Sequence, residues 1–258
     1  MRYALMPILV AVLLVAAGCS SQRDGGSAGE DAEAGGVFAE RDYITLITSD
    51  GFILQATYFA PTAESGRGLV LVHMLGADSS TWSSFAEIAQ RRGYHVLTFD
   101  LRGHGTSLTQ GAASRHWRGF TDEDFMSATL DIDAAVNALE EKGLSSRNIS
   151  VIGASIGANL AARYASNHDV AAIALLSPGL AYHGVTTDDA VPSIGEPALI
   201  IAAEGDTYSA ESSRTLAGLG AGAAIELLVL GGEAHGTNLL REQPGLQHRI
   251  LDWIEQER

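Results

Sequence analysis

The chain has 258 residues, 46% of them hydrophobic, and 31 acidic against 16 basic residues give a formal net charge of −15. Length and composition suffice for one large domain with a sizeable buried core. The acidity excludes both the basic patches that hold nucleic-acid phosphates and a polybasic membrane footprint, and leaves solubility as its plain reading.

The first 18 residues stand apart from the rest. Arg2 is the only charge before Arg23, and Ala4 to Ala17 is almost wholly apolar, interrupted by Pro7. A basic start, an apolar core and small residues have the shape of a secretory signal peptide. The run is too short for a comfortable membrane-spanning helix. Cys19 is the only cysteine, so no intrachain disulfide is possible. Residues 20–36, rich in Gly, Ser, Ala and acid, cannot bury enough apolar surface to order themselves, and read as a flexible tether. A globular domain is expected over residues 37–258.

The stretch Leu14-Val15-Ala16-Ala17-Gly18-Cys19 resembles a bacterial lipobox, with Ala16 where that family most often has leucine. The resemblance implies cleavage before Cys19, a diacylglyceryl thioether on its sulfur and acylation of the new amine. Cys19 would then be a membrane anchor. Ser20 rather than aspartate after it resembles the outer-membrane address of Gram-negative lipoproteins, which places the protein in the cell envelope. The plain alternative is an incidental cysteine ending an ordinary signal peptide.

Within the domain, Tyr43–Thr48 and Phe52–Phe59 flank Ser49-Asp50-Gly51, a hairpin signal. Leu69–His73 is a short apolar strand. Ser80–Arg92 is helical, with Trp82, Phe85, Ile88 and Ala89 on one face. His95–Phe99 is the next strand. Asp122–Lys142 reads as one long helix between Thr121 as N-cap and Gly143 as C-cap. Strands follow at Ile149–Ile152, Ala171–Leu176, Ala198–Ala203 and Ile225–Leu230, and Pro244–Gln256 closes the chain as a helix. This alternation predicts an α/β fold of about eight strands, mostly parallel and covered by helices on both faces. Active sites in such sheets gather at the carboxyl ends of the strands.

One strand leads directly into Gly153-Ala154-Ser155-Ile156-Gly157 and an Ala-rich helical stretch. This is G-x-S-x-G in strand-turn-helix context. A serine on so sharp a turn needs small neighbours two residues before and after, and Gly153 and Gly157 supply them. Glu204-Gly205-Asp206 follows the strand Ala198–Ala203, and Glu233-Ala234-His235-Gly236 follows the strand Ile225–Leu230. A serine hydroxyl needs a base to take its proton, a histidine titrates in the working range, and a carboxylate must orient that imidazole. Asp206 is favoured for the carboxylate, with Glu204 as the rival.

The order Ser155, Asp206, His235 resembles the α/β-hydrolase superfamily over essentially all of residues 40–258. His73-Met74-Leu75-Gly76 after the third strand also matches it, and Asp100-Leu101-Arg102-Gly103-His104-Gly105 resembles the D-x-R-G-x-G signature of its esterase, lipase and peptidase-like members. The resemblance implies an oxyanion hole from two backbone N–H groups, Ile156 and one in the loop after the third strand. Many relatives have His-Gly in that loop. Aligning on His73 makes Leu75 the second donor, with Met74 as the other possibility. His73, His104 and Arg102 are expected to brace their loops. His183 either lines the pocket or is simply exposed, and Trp82 either packs the first helix or walls the acyl pocket. No metal-ligand spacing and no dinucleotide fingerprint occurs, so neither a metal nor a cofactor is expected.

These residues together imply a lipid-anchored serine hydrolase acting on a small-molecule ester, with thioesters and amides as neighbouring substrate classes. A binding lipoprotein that has lost its chemistry, or a cofactor-free haloperoxidase-like activity, are the alternatives. The segment from Pro178 to Pro197 has room for a short helix at most. The expectation is therefore a minimal cap and a fairly open cleft, with Trp117 and Phe120 as a partial second wall.

Overall fold

The computed structural model describes residues 40–63, 65–220 and 224–257. The signal segment, Cys19 and the tether lie outside the described residues. Eight long strands form one mixed sheet. In chain order they are β1 (Arg41–Ile47), β2 (Phe52–Phe59), β3 (Arg67–Val72), β4 (Tyr94–Phe99), then, beyond a pair of two-residue strands β5 (Thr109–Gln110) and β6 (Ala113–Ser114), β7 (Ile149–Ala154) and β8 (Ile173–Leu176). A separate two-residue hairpin, β9 (Ala181–Tyr182) and β10 (Val185–Thr186), precedes β11 (Ala198–Ala203) and β12 (Ile225–Leu230). The main sheet thus holds ten strands rather than about eight, because β5 and β6 extend it beside β2.

The order across the sheet is β12-β11-β8-β7-β3-β4-β2, with β1 antiparallel to β2. All neighbours from β12 to β4 run parallel. The period-2 alternation of a strand divides the core in two. Val70, Val72, Leu97, Val151 and Ile200 face one layer, and Leu69, Leu71, Val96, Ile152 and Ile201 face the other. Because both faces are buried, these strands read as continuous apolar runs.

The helices are α1 (Ser83–Arg91), α2 (Asp122–Met126), α3 (Thr129–Glu140), α4 (Ile156–Ala165), α5 (Thr207–Leu219), α6 (Asn238–Glu242) and α7 (Leu246–Gln256). Ile132, Leu139, Leu160 and Leu216 bring α3, α4 and α5 onto the first layer. Phe85, Ala89, Leu239, Ile250 and Ile254 bring α1, α6 and α7 onto the second. Trp82 is fully buried, edge-on to Phe85 at 5.7 Å, and belongs to the packing of the first helix.

The expected single helix over residues 122–142 is two helices. Thr121 does cap the first, in a capping box with Asp124. The break falls at Ser127 and Ala128, whose ψ values are near zero. There the Ser127 hydroxyl donates to Glu123 O at 2.8 Å and the Thr129 hydroxyl to Met126 O at 3.2 Å. Such side-chain bonds to nearby carbonyls compete with the helical ladder. Three residues further on, the buried Asp131 is drawn to Arg102. The closing helix expected over Pro244–Gln256 is present as α7, starting two residues later because Gly245 takes a left-handed φ of 81° as its N-cap, and the short α6 precedes it. Helix α5 carries no clear apolar period, because it buries Ser209, Ser212 and Ser213.

The segment after β8 forms the β9–β10 hairpin and a single 3-10 turn at Val191–Ser193. His183 and Gly184 both have positive φ, 47° and 75°, as a two-residue type I′ turn requires.

Candidate active site

Ser155 sits at the carboxyl end of β7 and begins α4, with φ 55° and ψ −121°. A non-glycine residue in that region is strained and persists only where its surroundings over-determine it. Its N–H donates to Leu176 O at 2.8 Å, and its O accepts from Ala158 and Asn159. The flanking glycines are sterically required. A Cβ at Gly153 would lie 2.1 Å from Gly157 O, and one at Gly157 would lie 2.6 Å from the carbonyl oxygens of Val72 and His73.

His235 reaches the serine from the loop after β12. Its Nε2 is 2.8 Å from Ser155 Oγ, and its Nδ1 is 2.7 Å from Asp206 Oδ2. An ionised carboxylate only accepts, so Nδ1 carries the proton and Nε2 presents a lone pair to the Ser155 hydroxyl. Asp206 starts α5 but makes no side-chain cap there, its carboxylate being turned to the imidazole. Glu204 points elsewhere, to an exposed ion pair with Arg214. The loop of His235 is fixed twice. Gly236 N–H donates to Ser177 Oγ at 2.9 Å, and the Met74 sulfur accepts from the Thr237 hydroxyl at 3.8 Å.

His73 is fully buried beneath the third-strand loop. Leu101 N–H donates to its Nε2 at 2.9 Å, so its proton is on Nδ1, which donates to Met74 O at 2.8 Å. In a trans peptide the N–H points opposite to the carbonyl. Holding the Met74 carbonyl toward His73 therefore turns the Leu75 N–H away from it. Leu75 and Ile156 line the cavity in which Ser155 lies, and this orientation favours Leu75 over Met74 as the donor from that loop.

The same loop is tied to the next one by Asp100. Its carboxylate accepts from the Ser79 N–H and hydroxyl at 2.9 and 2.7 Å, and from the Thr106 N–H and hydroxyl at 2.9 and 3.0 Å. Burial acts to raise the Asp100 pKa, but these four donors outweigh it and hold it below the usual range. Arg102 pairs with the buried Asp131 and with Asp50. Burial pushes the Asp131 carboxyl up to about 6 against the pull of that guanidinium. These groups brace the loops and stand away from the reacting atoms.

The cavity over Ser155 has a volume of about 240 Å³ and is lined mainly by apolar atoms. Met74, Leu75 and Ile156 form its floor, and Tyr182 and His183 of the hairpin form its wall. His183 is exposed and also packs on Phe125 at 4.6 Å. Trp117 and Phe120 are not the second wall. Trp117 stacks on His104 at 5.4 Å, and Phe120 packs edge-on against Phe52 and Phe125. Tyr182 and Ser209 also enter the site without being singled out by the sequence. The only signal for Tyr182 is its place before His183-Gly184, a two-residue turn between short extended pieces. Among the described residues no cluster of three or more His, Cys, Asp or Glu could hold a metal ion.

A family model described as alpha/beta hydrolase fold matches residues 69–194. An esterase of Pyrococcus furiosus superposes with a TM-score of 0.69 at 19% identity, covering 85% of this chain and 93% of that one. A dienelactone hydrolase of Anabaena variabilis gives 0.65 at 16% identity, covering 85% and 96%. An alpha-beta serine hydrolase homologue from Coxiella burnetii gives 0.65 at 20%, covering 81% and 97%.

The imidazoles beneath the loop after β3 make stability depend on pH. His104 Nδ1 faces Arg102 O at 3.0 Å, and its buried Nε2 has no partner. Burial, with His73 beside it, pushes the His104 pKa down from 6.5 to about 4. Burial lowers that of His73 as well. The unfolded chain therefore binds more protons than the folded one below pH 6.5, and stability falls as the pH drops toward 4. Urea midpoints measured from pH 7 to 4.5 should reveal a loss of roughly 2–3 kcal/mol from His104 alone. His104→Phe, which keeps an aromatic ring on Trp117, should flatten that slope, and an unchanged slope would contradict the assignment.

Proposed function

We propose that this chain, which has the α/β-hydrolase fold, is a serine hydrolase that cleaves carboxylic esters through an acyl-enzyme and is held to the cell envelope by lipid on Cys19. The observation that carries the catalytic part is the hydrogen-bonded line from Asp206 through His235 to Ser155 Oγ, ending in a small apolar cavity.

Ser155 Oγ attacks the ester carbonyl carbon while His235 Nε2 takes its proton. Asp206 keeps the imidazole in the required tautomer and stabilises the cation that forms. The carbonyl oxygen becomes an oxyanion, held by the N–H groups of Leu75 and Ile156, with the positive end of α4 behind Ile156. The C–O bond to the alcohol breaks as His235 returns the proton to the leaving oxygen. Water then attacks the acyl-enzyme with His235 again as base, releasing the acid and free Ser155.

The cavity volume of about 240 Å³ supports short acyl groups, and among the described residues the segment after β8 supplies a hairpin rather than a helical cap. The closed geometry of the three residues argues against a binding protein that has lost its chemistry. The anchoring rests on the lipobox-like stretch at Cys19. Among the described residues, no helix is long and apolar enough to cross a membrane.

A fluorophosphonate probe should label the purified domain once, on Ser155, and Ser155→Ala should abolish both labelling and turnover. The loss in kcat should be on the order of 10⁴–10⁶. Asp206→Asn should cost about 10⁴, and Glu204→Gln should leave kcat within about threefold, since an exposed ion pair is worth little. An unlabelled, inactive wild type would favour the binding reading. A nitrophenyl ester series should place the highest kcat/KM at acetyl to butyryl groups, without a rate jump above the solubility limit; a maximum on emulsified long chains would refute the short-acyl pocket. Cys19→Ser should move the protein from the membrane to the soluble fraction, whereas continued membrane association of the processed variant would remove the anchor from Cys19.

A further inference from the structure

Three described residues other than glycine have a positive φ, and all three lie at the site: Ser155 at 55°, Ser177 at 52° and His183 at 47°. Ser155 carries the attacking oxygen, and His183 makes the hairpin turn. Ser177, the first residue after β8, has no task in the mechanism above. A non-glycine residue at such a φ is strained, and the strain persists only where the surroundings over-determine it. Glycine takes this conformation without steric conflict. What serine adds is a hydroxyl, and Ser177 is fully buried.

Its partners connect the two residues between which the proton moves. Strand β8 lies between β7 and β11. The Leu176 carbonyl accepts from Ser155 N–H at 2.8 Å, and Ser177 N–H donates to Ile201 O of β11 at 2.7 Å. Ser177 Oγ accepts from Gly236 N–H at 2.9 Å. That N–H belongs to the peptide unit joining His235 to Gly236. Two consecutive residues therefore hold the backbone of Ser155 and the backbone of His235. The other side-chain tie on the His235 loop, from the Thr237 hydroxyl to the Met74 sulfur at 3.8 Å, uses a weak acceptor. The imidazole itself must span 2.8 Å to Ser155 Oγ and 2.7 Å to Asp206 Oδ2 at once, which it does only while its own backbone stays in place.

We infer that Ser177 is a positioning residue, its hydroxyl fixing the backbone of His235 at the distance from Ser155 at which the imidazole takes the proton. The inference rests on the serine-hydrolase reading above. His235 Nε2 takes the proton of Ser155 Oγ in acylation and that of water in deacylation, and returns each. A displaced imidazole thus slows both halves of the cycle together. A misplacement of about 1 Å costs on the order of 100-fold in rate. Ser177 does not line the cavity over Ser155, so the effect falls on turnover and not on substrate binding.

Two substitutions in the full chain separate the hydroxyl from the turn. Ser177→Ala and Ser177→Gly both remove the acceptor of Gly236 N–H, but only glycine relieves the positive φ. Ser177→Gly should therefore have the higher urea midpoint of the two. Both should nevertheless lower kcat on p-nitrophenyl acetate by about 10- to 100-fold, with KM within about threefold of the wild type. Rapid-quench kinetics should show acylation and deacylation slowed by the same factor, leaving any burst of nitrophenolate at the wild-type amplitude. Ser177→Gly provides the test if Ser177→Ala does not fold. A Ser177→Gly variant with wild-type kcat would show that the residue serves only the turn. That result, a defect in one half-reaction alone, or a rise in KM with kcat unchanged would overturn the inference and leave the hydrolase reading standing. A wild type that the ester never acylates would overturn both.

Discussion

The site depends on one constraint, the backbone of Ser155. At φ 55° this residue is bent out of the allowed regions for ordinary side chains. Everything nearby serves to hold it there. The Val72 and His73 carbonyls pass so close to Gly157 that no methyl group fits between them, and the same is true of Gly153 against Gly157. Two adjacent parallel strands, β3 and β7, are thus joined at their carboxyl ends through contacts between main chains. The loop of His73 to Gly76 leaves β3 at that point, so Ser155 and the backbone of Leu75 that lines its cavity share one rigid origin.

The polar interior of the loops performs a second task. Asp100, Arg102, Asp131, His73 and His104 are all buried, and buried polar groups are costly unless paired. Each is paired in a way that fixes a loop and not a substrate. His73 is the clearest case, because one imidazole links Leu101 to Met74 and thereby sets which way a peptide unit faces. The exception is His104 Nε2, which is left without a partner, in a ring whose pKa burial and the neighbouring His73 push down.

Much of the architecture was legible in the amino-acid pattern. Two-sided burial makes β3, β4, β7 and β11 into apolar runs that stand out, and β2, β11 and β12 have the bounds that their sequences suggest. The turn at Gly153-x-Ser155-x-Gly157 is legible for steric reasons that hold in any chain. What escaped reading was decided by competition or by tertiary contact. The break between α2 and α3 comes from serine and threonine hydroxyls that bond locally, and α5 hides behind buried serines. Within the candidate site, Glu204 and Asp206 are two residues apart, and which one meets His235 depends on how the loops after β11 and β12 pair, through Gly205 N–H and Gly232 O at 2.8 Å. Tyr182 lay in a segment too short to show any period. The positions of Trp117 and Phe120 were set by partners far along the chain, His104 and Phe52.

The hairpin that walls the cavity is fastened to α4. Asn159 donates to Val185 O at 2.7 Å and accepts from Gly179 N–H at 3.0 Å, and one turn later Arg163 bonds Thr186 and Asp189. The hairpin is tied to α5 as well, where the Tyr208 hydroxyl bonds the N–H and carbonyl of Ala181 and Ser212 Oγ accepts from Leu180 N–H. The wall therefore bridges the helix that begins after Ser155 and the helix that begins after Asp206. A rewritten hairpin would have to keep both sets of contacts, so the width of the cavity is constrained from two sides at once.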